Sequence, residues 1–546
     1  DGDDDDDGGR GHNGGGAWGA EWTARKAAAS SLDNLANAFR SEILQVVLPL
    51  IQQKLEDQSW EVQESGVLAL GAIAFGCMED LVQFLPRVME LLLKLVEAPK
   101  PLLRSISCWC ATRFSSWICH EKNPNREQVL RSVLQALLKR VLDKNKRVQE
   151  AACSAFATLE EEARYQLVPY LDDIVQTLVQ AFQYYQAKNL LILYDASGTL
   201  AQAVGPELNQ PLYVQALLTP IMQKFESTPD NDRTLVALFE CLSQFAQNLG
   251  DALMPAIPRI TQRLVRLVQE GSRAAQMWLQ NPNEFEKPDR EVMAASIDLL
   301  SGIVEGLGPR VGEVLSQLNF LCIVPEVLKD IAMQVKQSAF ALVGDSAKIC
   351  IDYLAPFLPE ILPFCAKSLR ENTSATVSNN ASWAIGEICV KVGPDFMAPY
   401  MDDIMQALIS VLRRRNPAQH LLLTNICITL GRLGFICGPQ AGKVFGDFAQ
   451  VWCEVMVNAR LDFEKITAFT GLISMIKANP QACMTCVPQL AAAVCSIYPP
   501  PPPMRAGFQE ILGSYKQSLG ADWPTVYSQM PDEVKRALAE MYNITG

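Results

Sequence analysis

From Trp22 onward, apolar positions recur at steps of three and four, the spacing of a helix with one buried face. Ala28, Leu32, Leu35 and Phe39 open the pattern. The clearest stripes are Val148, Ala152, Ala155 and Leu159 on residues 147–162, and Leu190, Leu193, Leu200 and Val204 on residues 188–204, where Ser197 interrupts. Met293, Ile297, Leu300 and Val304 form a third on residues 290–306. Paired helices are thus expected to run to the end of the chain, broken by proline and glycine signals such as Asn123-Pro124 and Gly393-Pro394. Residues 225–235 and 279–290 read as longer polar connections. Tyr498 and the five prolines after it, 499–503, read as an extended connector, because consecutive prolines favour polyproline II.

One helical phrase returns at near-constant spacing. Val62-Gln-Glu-Ser-Gly, Leu103-Arg-Ser-Ile and Val148-Gln-Glu-Ala-Ala are three instances, and Leu190 holds the matching place in the next helix. Val335-Lys-Gln-Ser-Ala, Val377-Ser-Asn-Asn-Ala and Leu422-Leu-Thr-Asn follow. The steps are 41, 45 and 42 residues, then 145, then 42 and 45. Two helices per roughly 40–47 residues is the period of HEAT repeats. One such unit cannot bury its apolar face alone, so units stack into a superhelix whose inner surface binds partners. The expected fold is an all-α HEAT-repeat solenoid of antiparallel helix pairs over 22–546, preceded by an acidic, glycine-rich, disordered segment over 1–21.

A solenoid also accommodates 546 residues, more than one core supports. The net charge of −13 disfavours nucleic acid as a direct ligand and favours a basic partner. Sixteen cysteines lie mostly at apolar positions, as Cys110 and Cys427 do, which is how reduced, buried cysteines behave. Cys483 and Cys486 have CxxC spacing without the context of a redox or zinc motif. His12, His120 and His420 are far apart and in or near loops, and no phosphate loop, nucleophile elbow or ligand cluster accompanies them. Neither an enzyme nor a bound cofactor or metal is expected. No run reaches the roughly 18 apolar residues of a membrane span, and no signal peptide, transit peptide or initiator Met is seen. The opening Asp1-Gly-Asp-Asp-Asp-Asp-Asp reads as a cut through a longer acidic loop, so the chain is expected to be the C-terminal part of something larger.

The faces opposite the stripes hold the candidate chemistry. Glu150, Ser154 and Glu161 fall within about 40° of one another at 100° per residue. Asp195, Thr199 and Gln202 make a similar stripe, and Glu291, Asp298 and Glu305 another. Single exposed carboxylates are ordinary, but their recurrence on several helices would sum into a field attracting Lys and Arg. Trp383, among Asn379, Asn380 and Glu387, lies roughly 140° from its helix's apolar stripe. Trp109 flanks its stripe and faces Ser105 and Arg113. Each suits packing against an aliphatic stem or a proline ring, with contact to the adjacent repeat as the alternative.

Several long runs carry a family resemblance. Asn145-Lys-Arg-Val-Gln-Glu-Ala-Ala-Cys-Ser-Ala-Phe-Ala-Thr-Leu-Glu-Glu-Glu-Ala163 and Lys188-Asn-Leu-Leu-Ile-Leu-Tyr-Asp-Ala196 closely resemble the transportin, or karyopherin beta-2, family of nuclear import receptors. Asp298-Leu-Leu-Ser-Gly302, Ser338-Ala-Phe-Ala-Leu342 and Trp383-Ala-Ile-Gly-Glu387 agree with it, and the likeness extends over nearly all of the chain from Trp22. It implies a cargo-binding C-terminal arch that recognises basic proline–tyrosine nuclear localisation signals, often those of RNA-binding proteins. By residue-wise match, the proline–tyrosine end would meet Asp33, Leu68, Ile106, Trp109 and Arg113. The preceding signal arginine would meet Glu161 and Asp195, with Glu150, Ser154 and Thr199 nearby. The upstream part would meet Asp298, Gln337, Asp345, Trp383 and Ile428. Asp33, Leu68 and Ile428 come from the resemblance alone. Gln202 stands where the family typically has an aspartate, and Ala375 where it has a larger aliphatic residue, so particular contacts are expected to be weaker. The resemblance further implies shuttling between cytoplasm and nucleus and contact with FG-repeat proteins of the nuclear pore. It places binding of the GTPase Ran in repeats N-terminal to Asp1, so Ran-GTP is not expected to release cargo from this chain. A HEAT scaffold of another kind, such as a phosphatase scaffold subunit, is the alternative.

Overall fold

Helices account for all the regular structure in the computed structural model, which describes residues 23–371, 374–414 and 417–546. The acidic opening segment, His12 and Trp22 lie outside the described residues. The chain divides between Leu253 and Met254 into two units.

In the first unit, one row of helices runs α1 (Ala24–Phe39), α2 (Trp60–Ile73), α3 (Pro101–Thr112), α4 (Lys146–Ala163), α5 (Ala187–Val204) and α6 (Thr234–Leu249). Each packs on the next. A second row, from Ser41–Leu55 to Pro211–Ser227, lies behind it. The second unit repeats the plan with α7 (Glu291–Leu307), α8 (Met333–Leu354), α9 (Ala375–Val392), α10 (His420–Ile436), α11 (Phe463–Ala478) and α12 (Pro502–Leu519), again packed in sequence. The recurring apolar markers each begin a helix of this row: Val62, Leu103, Val148, Val335, Val377 and Leu422 are third residues, and Leu190 is a fourth. The 145-residue interval holds two further members, α6 and α7, which lack the phrase.

Local chemistry sets the ends. Asn145 Oδ1 accepts from the Arg147 and Val148 amides at 3.0 and 3.3 Å, satisfying donors that a helix start leaves open. Gly205, at φ +52°, closes α5 in the left-handed region that glycine enters freely; Arg164 closes α4 at φ +46° without that freedom. Arginine–aspartate pairs then tie one repeat to the next. Arg104 donates to both Asp143 oxygens at 3.0 and 2.9 Å, and Asp143 also accepts from the Asn145 amide at 2.9 Å. Burial alone would raise the Asp143 carboxyl, but these donors and the charges of Arg104 and Arg140 carry it below its ordinary value. In the second unit Arg290 donates from Nε to both Asp330 oxygens at 3.0 and 3.2 Å, both side chains buried, and Asp330 accepts from the Ala332 amide.

The stripes on α4, α5 and α7 are buried as the spacing requires. On α1 the buried residue is Ala36, while Ala28 is exposed and Leu35 and Phe39 are 45% and 52% exposed. The expected row is therefore not the buried one: the Gly76 backbone approaches that of Ala36 closely, and it is this side of α1 that is covered. Helices also intrude on the expected connections: one ends at Ser227 and another at Gln280, leaving 228–233 and 281–290 as the links. The proline connector ends at Pro501. Pro502 and Pro503 open α12, where a fixed φ and a missing N–H cost little.

The apolar stretches Glu291–Leu315 and Met333–Glu371 have the length and composition of a membrane span. Within them, α7 and α8 are each packed against the neighbouring helices of their row. All sixteen cysteines are free thiols, and all but Cys322 and Cys495 are buried. Cys483 ends a short 3-10 segment and Cys486 is the residue before the helix Val487–Cys495.

Candidate functional site

The first unit brings several sequence candidates together at α1–α3. Ile106, Trp109 and Arg113 share one face of α3 and its end, at i, i+3 and i+7. Arg113 Nε donates to the Gly71 carbonyl at 3.2 Å, its terminal nitrogen reaches Asp33 at 3.4 Å, and the guanidinium lies 5.8 Å from the Trp109 ring centroid. Trp109 itself is half-buried, its six-membered ring resting on Gly71 of α2. Leu68 and Ile106 are buried, so they belong to the apolar floor. The outcome is an indole seated on Gly71 with a guanidinium at its edge and a carboxylate within reach of that guanidinium.

On α4 and α5 the structure assembles a carboxylate group. Glu161 and Asp195 are exposed, while Glu150, Ser154 and Thr199 are half-buried along the same helices. Neither Glu161 nor Asp195 forms an ion pair among the described residues. Burial raises the Asp195 carboxyl. Between the two acts a residue the sequence reading passed over, Glu160. It is fully buried and neither carboxyl oxygen has a hydrogen-bond partner. Burial first, then the charges of Asp195 and Glu161, push its carboxyl well above the usual range, and no cation offsets them. Its signal was present in the sequence: Cys153, Phe156, Glu160 and Ala163 continue a second buried row of α4 at steps of three and four. Gln202, exposed one turn beyond Thr199, leaves the site without a further carboxylate.

In the second unit, α7 and α8 exchange reciprocal serine–aspartate bonds. Ser301 of α7 donates to Asp345 of α8, and Ser338 of α8 hydrogen-bonds Asp298 of α7. Asp345 is buried, and burial pushes its carboxyl up to about 6; the Ser301 bond and Lys348 oppose the rise, Glu305 and Glu387 add to it. Asp298 is exposed and likewise raised, by its dense surroundings, against the Ser338 bond. Trp383 of α9 rests on Gly344 of α8, the residue before Asp345. Exposed Gln337 carries its neighbour through the backbone, where its carbonyl accepts from Asn380 at 3.1 Å. Ile428 is buried and contributes an apolar wall. Glu387, which the sequence places among the neighbours of Trp383, is buried and paired: Arg432 holds it at 2.7 Å and reaches Glu464 at 3.4 Å. Ala375 begins α9, where its small side chain leaves the start of the helix without the larger aliphatic group.

Comparison with known proteins follows the same lines. A family model described as HEAT-like repeat matches residues 60–110, and one described as importin subunit beta-1-like, TPR repeats, matches residues 199–461. The chain is 40% identical to transportin-1 of Homo sapiens over 526 residues, which covers 96% of this chain and 58% of that protein. It is 39% identical to transportin-1 of Oryza sativa subsp. japonica (95% and 59%) and 38% identical to importin subunit beta-2 of Schizosaccharomyces pombe (93% and 57%). The chain thus spans less than two thirds of the length of these relatives. Among solved structures, Kap121p bound to Pho4p is similar with a TM-score of 0.68, at 16% identity, over 95% of this chain and 55% of that one. A crystal structure of importin beta follows with a TM-score of 0.65, at 16% identity, over 96% and 63%. At that identity the likeness concerns the solenoid fold.

Proposed function

From a chain homologous to transportin-1 over nearly its whole length, we propose a nuclear import receptor segment that binds basic proline–tyrosine localisation signals on its α1–α6 and α7–α12 rows. The observation that carries the reading is that Glu161 and Asp195, exposed on the adjacent helices α4 and α5, are held by no cation in an ion pair among the described residues. A signal arginine supplies that cation, while Trp109, over Gly71 and beside Arg113, offers a ring face of the kind that packs on proline or tyrosine. The second unit, with Asp298, Asp345 and Trp383, takes the basic or hydrophobic part upstream. Movement between cytoplasm and nucleus belongs to the same reading.

The test is calorimetry with a basic peptide ending in Arg and Pro-Tyr. Binding is expected to weaken with salt, because the contact is largely one of charge. A charge-assisted bidentate bond to the signal arginine makes Asp195→Ala lose roughly tenfold in affinity, while Glu291→Ala loses less. Equal losses from the two would reduce the site to a general acidic field and overturn the assignment of the arginine to Asp195.

A pH dependence separates the second unit. Asp345 titrates at about 6, so its charge, and its attraction for a cation, are present above that pH and lost below it. Between pH of about 7.5 and about 5.5 the contribution of Asp345 to binding a basic segment should fall by about fourfold. The Asp345→Asn variant should show that much less pH dependence than the parent protein. Identical pH profiles would mean that Asp345 does not meet the ligand's charge.

A further inference from the structure

Trp109 and Trp383 belong to different units, yet each is seated in the same way. A Cβ placed on Gly71 would come nearer than 3.0 Å to Cζ3 and Cη2 of Trp109, and one placed on Gly344 would do the same to Trp383. In both cases the glycine lies on the preceding helix of the row, 38 residues before Trp109 and 39 before Trp383. Neither glycine has a positive φ, so neither is present for its backbone freedom. The missing side chain is what matters. Other glycines of the row face different partners: Gly198 meets Gln244, Gly386 meets Thr429 and Arg432, and Gly431 meets Ala468. The notch is therefore a general feature of the row that two repeats fill with an indole.

We propose that Gly71 and Gly344 are positioning residues that seat the two indoles, fixing which ring face each presents to an incoming peptide. The proposal rests on the reading that both tryptophans meet the ligand. An indole has two side-chain torsions, so a wedge under its six-membered ring lifts the ring and rotates its face. A neighbour is set with the notch in each case. Arg113 donates to the carbonyl of Gly71 and lies over the Trp109 ring, so the notch, the ring and the guanidinium form one assembly. Gly344 precedes Asp345, so the second notch adjoins along α8 a residue whose carboxylate Ser301 already holds. The first arrangement suits a proline or an aromatic ring. The second suits a side chain that combines an apolar stem with a positive end.

The experiment uses the full chain labelled with 5-fluorotryptophan, with the fluorine signals of positions 109 and 383 assigned from Trp109→Phe and Trp383→Phe. Gly71→Ala is expected to move the signal of Trp109 and leave that of Trp383, and Gly344→Ala to do the reverse. Gly71→Ala should also weaken the proline–tyrosine peptide about tenfold, as part of the same assembly that Trp109 forms. In the Trp109→Phe background, where the smaller ring stops short of the notch, Gly71→Ala should cost little further affinity. Unmoved fluorine signals, or an equal affinity loss in both backgrounds, would overturn the proposal. Should Gly71→Ala fail to fold, the Gly71→Ala/Trp109→Phe pair decides: if it folds, the indole is what occupied the notch, and if it too unfolds, the glycine serves the backbone and the proposal falls. Absence of peptide binding by the parent protein would instead sink the proposed function, leaving the fluorine signals to report on the seat alone.

Discussion

Trp109→Ala is expected to weaken a proline–tyrosine peptide by roughly thirtyfold, about 2 kcal/mol, the loss typical of an aromatic anchor at an interface. The substitution removes the ring on which the ligand would lie and the surface that Arg113 covers, and it empties the Gly71 notch. Arg113 keeps its bonds to the Gly71 carbonyl and Asp33, so the charge beside the pocket stays in place. The loss should therefore concern the ring contact and not the signal arginine. Calorimetry with a second peptide, in which the proline and tyrosine are both alanine, separates the two. That peptide should bind the parent protein and the variant alike. A similar loss for both peptides would show that Trp109 supports the fold and not the ligand.

Glu160→Met is expected to stabilise the first unit by about 1–3 kcal/mol near neutral pH, because it removes a buried carboxyl whose oxygens have no hydrogen-bond partner and keeps a side chain of similar size. Burial and the charges of Asp195 and Glu161 raise the Glu160 carboxyl far above its ordinary value near 4.5. The folded chain thus keeps a proton that the unfolded chain has released. Stability from this group is complete below the ordinary value and falls as pH rises toward and through the folded one. The gain from methionine should accordingly be small near pH of about 4 and grow with pH. Thermal melts across that range, read in the parent and the variant, give the answer. A gain that does not vary with pH would assign the effect to packing and leave the Glu160 proton without a role.

Much of this was legible in the residues before any coordinates. The stripes of α4, α5 and α7 were set by a period that only a helix satisfies, and the markers from Val62 to Leu422 each began a helix of one row. The helices α6 and α7 lack the recurring phrase, although the stripe of α7 was read from its spacing, because burial constrains hydrophobic character but not the particular residues of a phrase. The choice of buried row on α1 was equally beyond spacing, since Leu35 and Ala36 are adjacent and packing against Gly76 decided between them. At the site, Glu161, Asp195, Trp109 and Trp383 were visible as groups out of phase with apolar stripes. Glu160 was hidden for the opposite reason, being a charge in phase with one. The partners of Trp109, Trp383, Asp345 and Asp298, namely Gly71, Gly344, Ser301 and Ser338, lie one repeat away, and sequence periodicity within a helix carries no information about which residues face each other between helices. Glu387 shows the cost of that gap, since its pairing with Arg432 of the next helix removes it from the site.

The spacing of the inter-repeat bonds has a kinetic consequence. Arg104–Asp143, Arg290–Asp330, Asn380–Gln337, Ser301–Asp345 and Glu387–Arg432 join residues 39, 40, 43, 44 and 45 positions apart. Each unit is thus assembled from loop closures of nearly one size, and the entropy of closure, which grows only with the logarithm of loop length, is almost the same at every step. No step waits on a distant segment, so folding should spread from whichever repeat forms first. The Arg113–Asp33 pair is different, reaching 80 positions back to α1 through a 3.4 Å contact between partly exposed groups. Such a pair contributes little, on the order of 1 kcal/mol or less. Amide exchange should therefore be fastest along Ala24–Phe39, and the opening it reports would release Asp33 from Arg113 while α2 and α3 stay packed around Trp109.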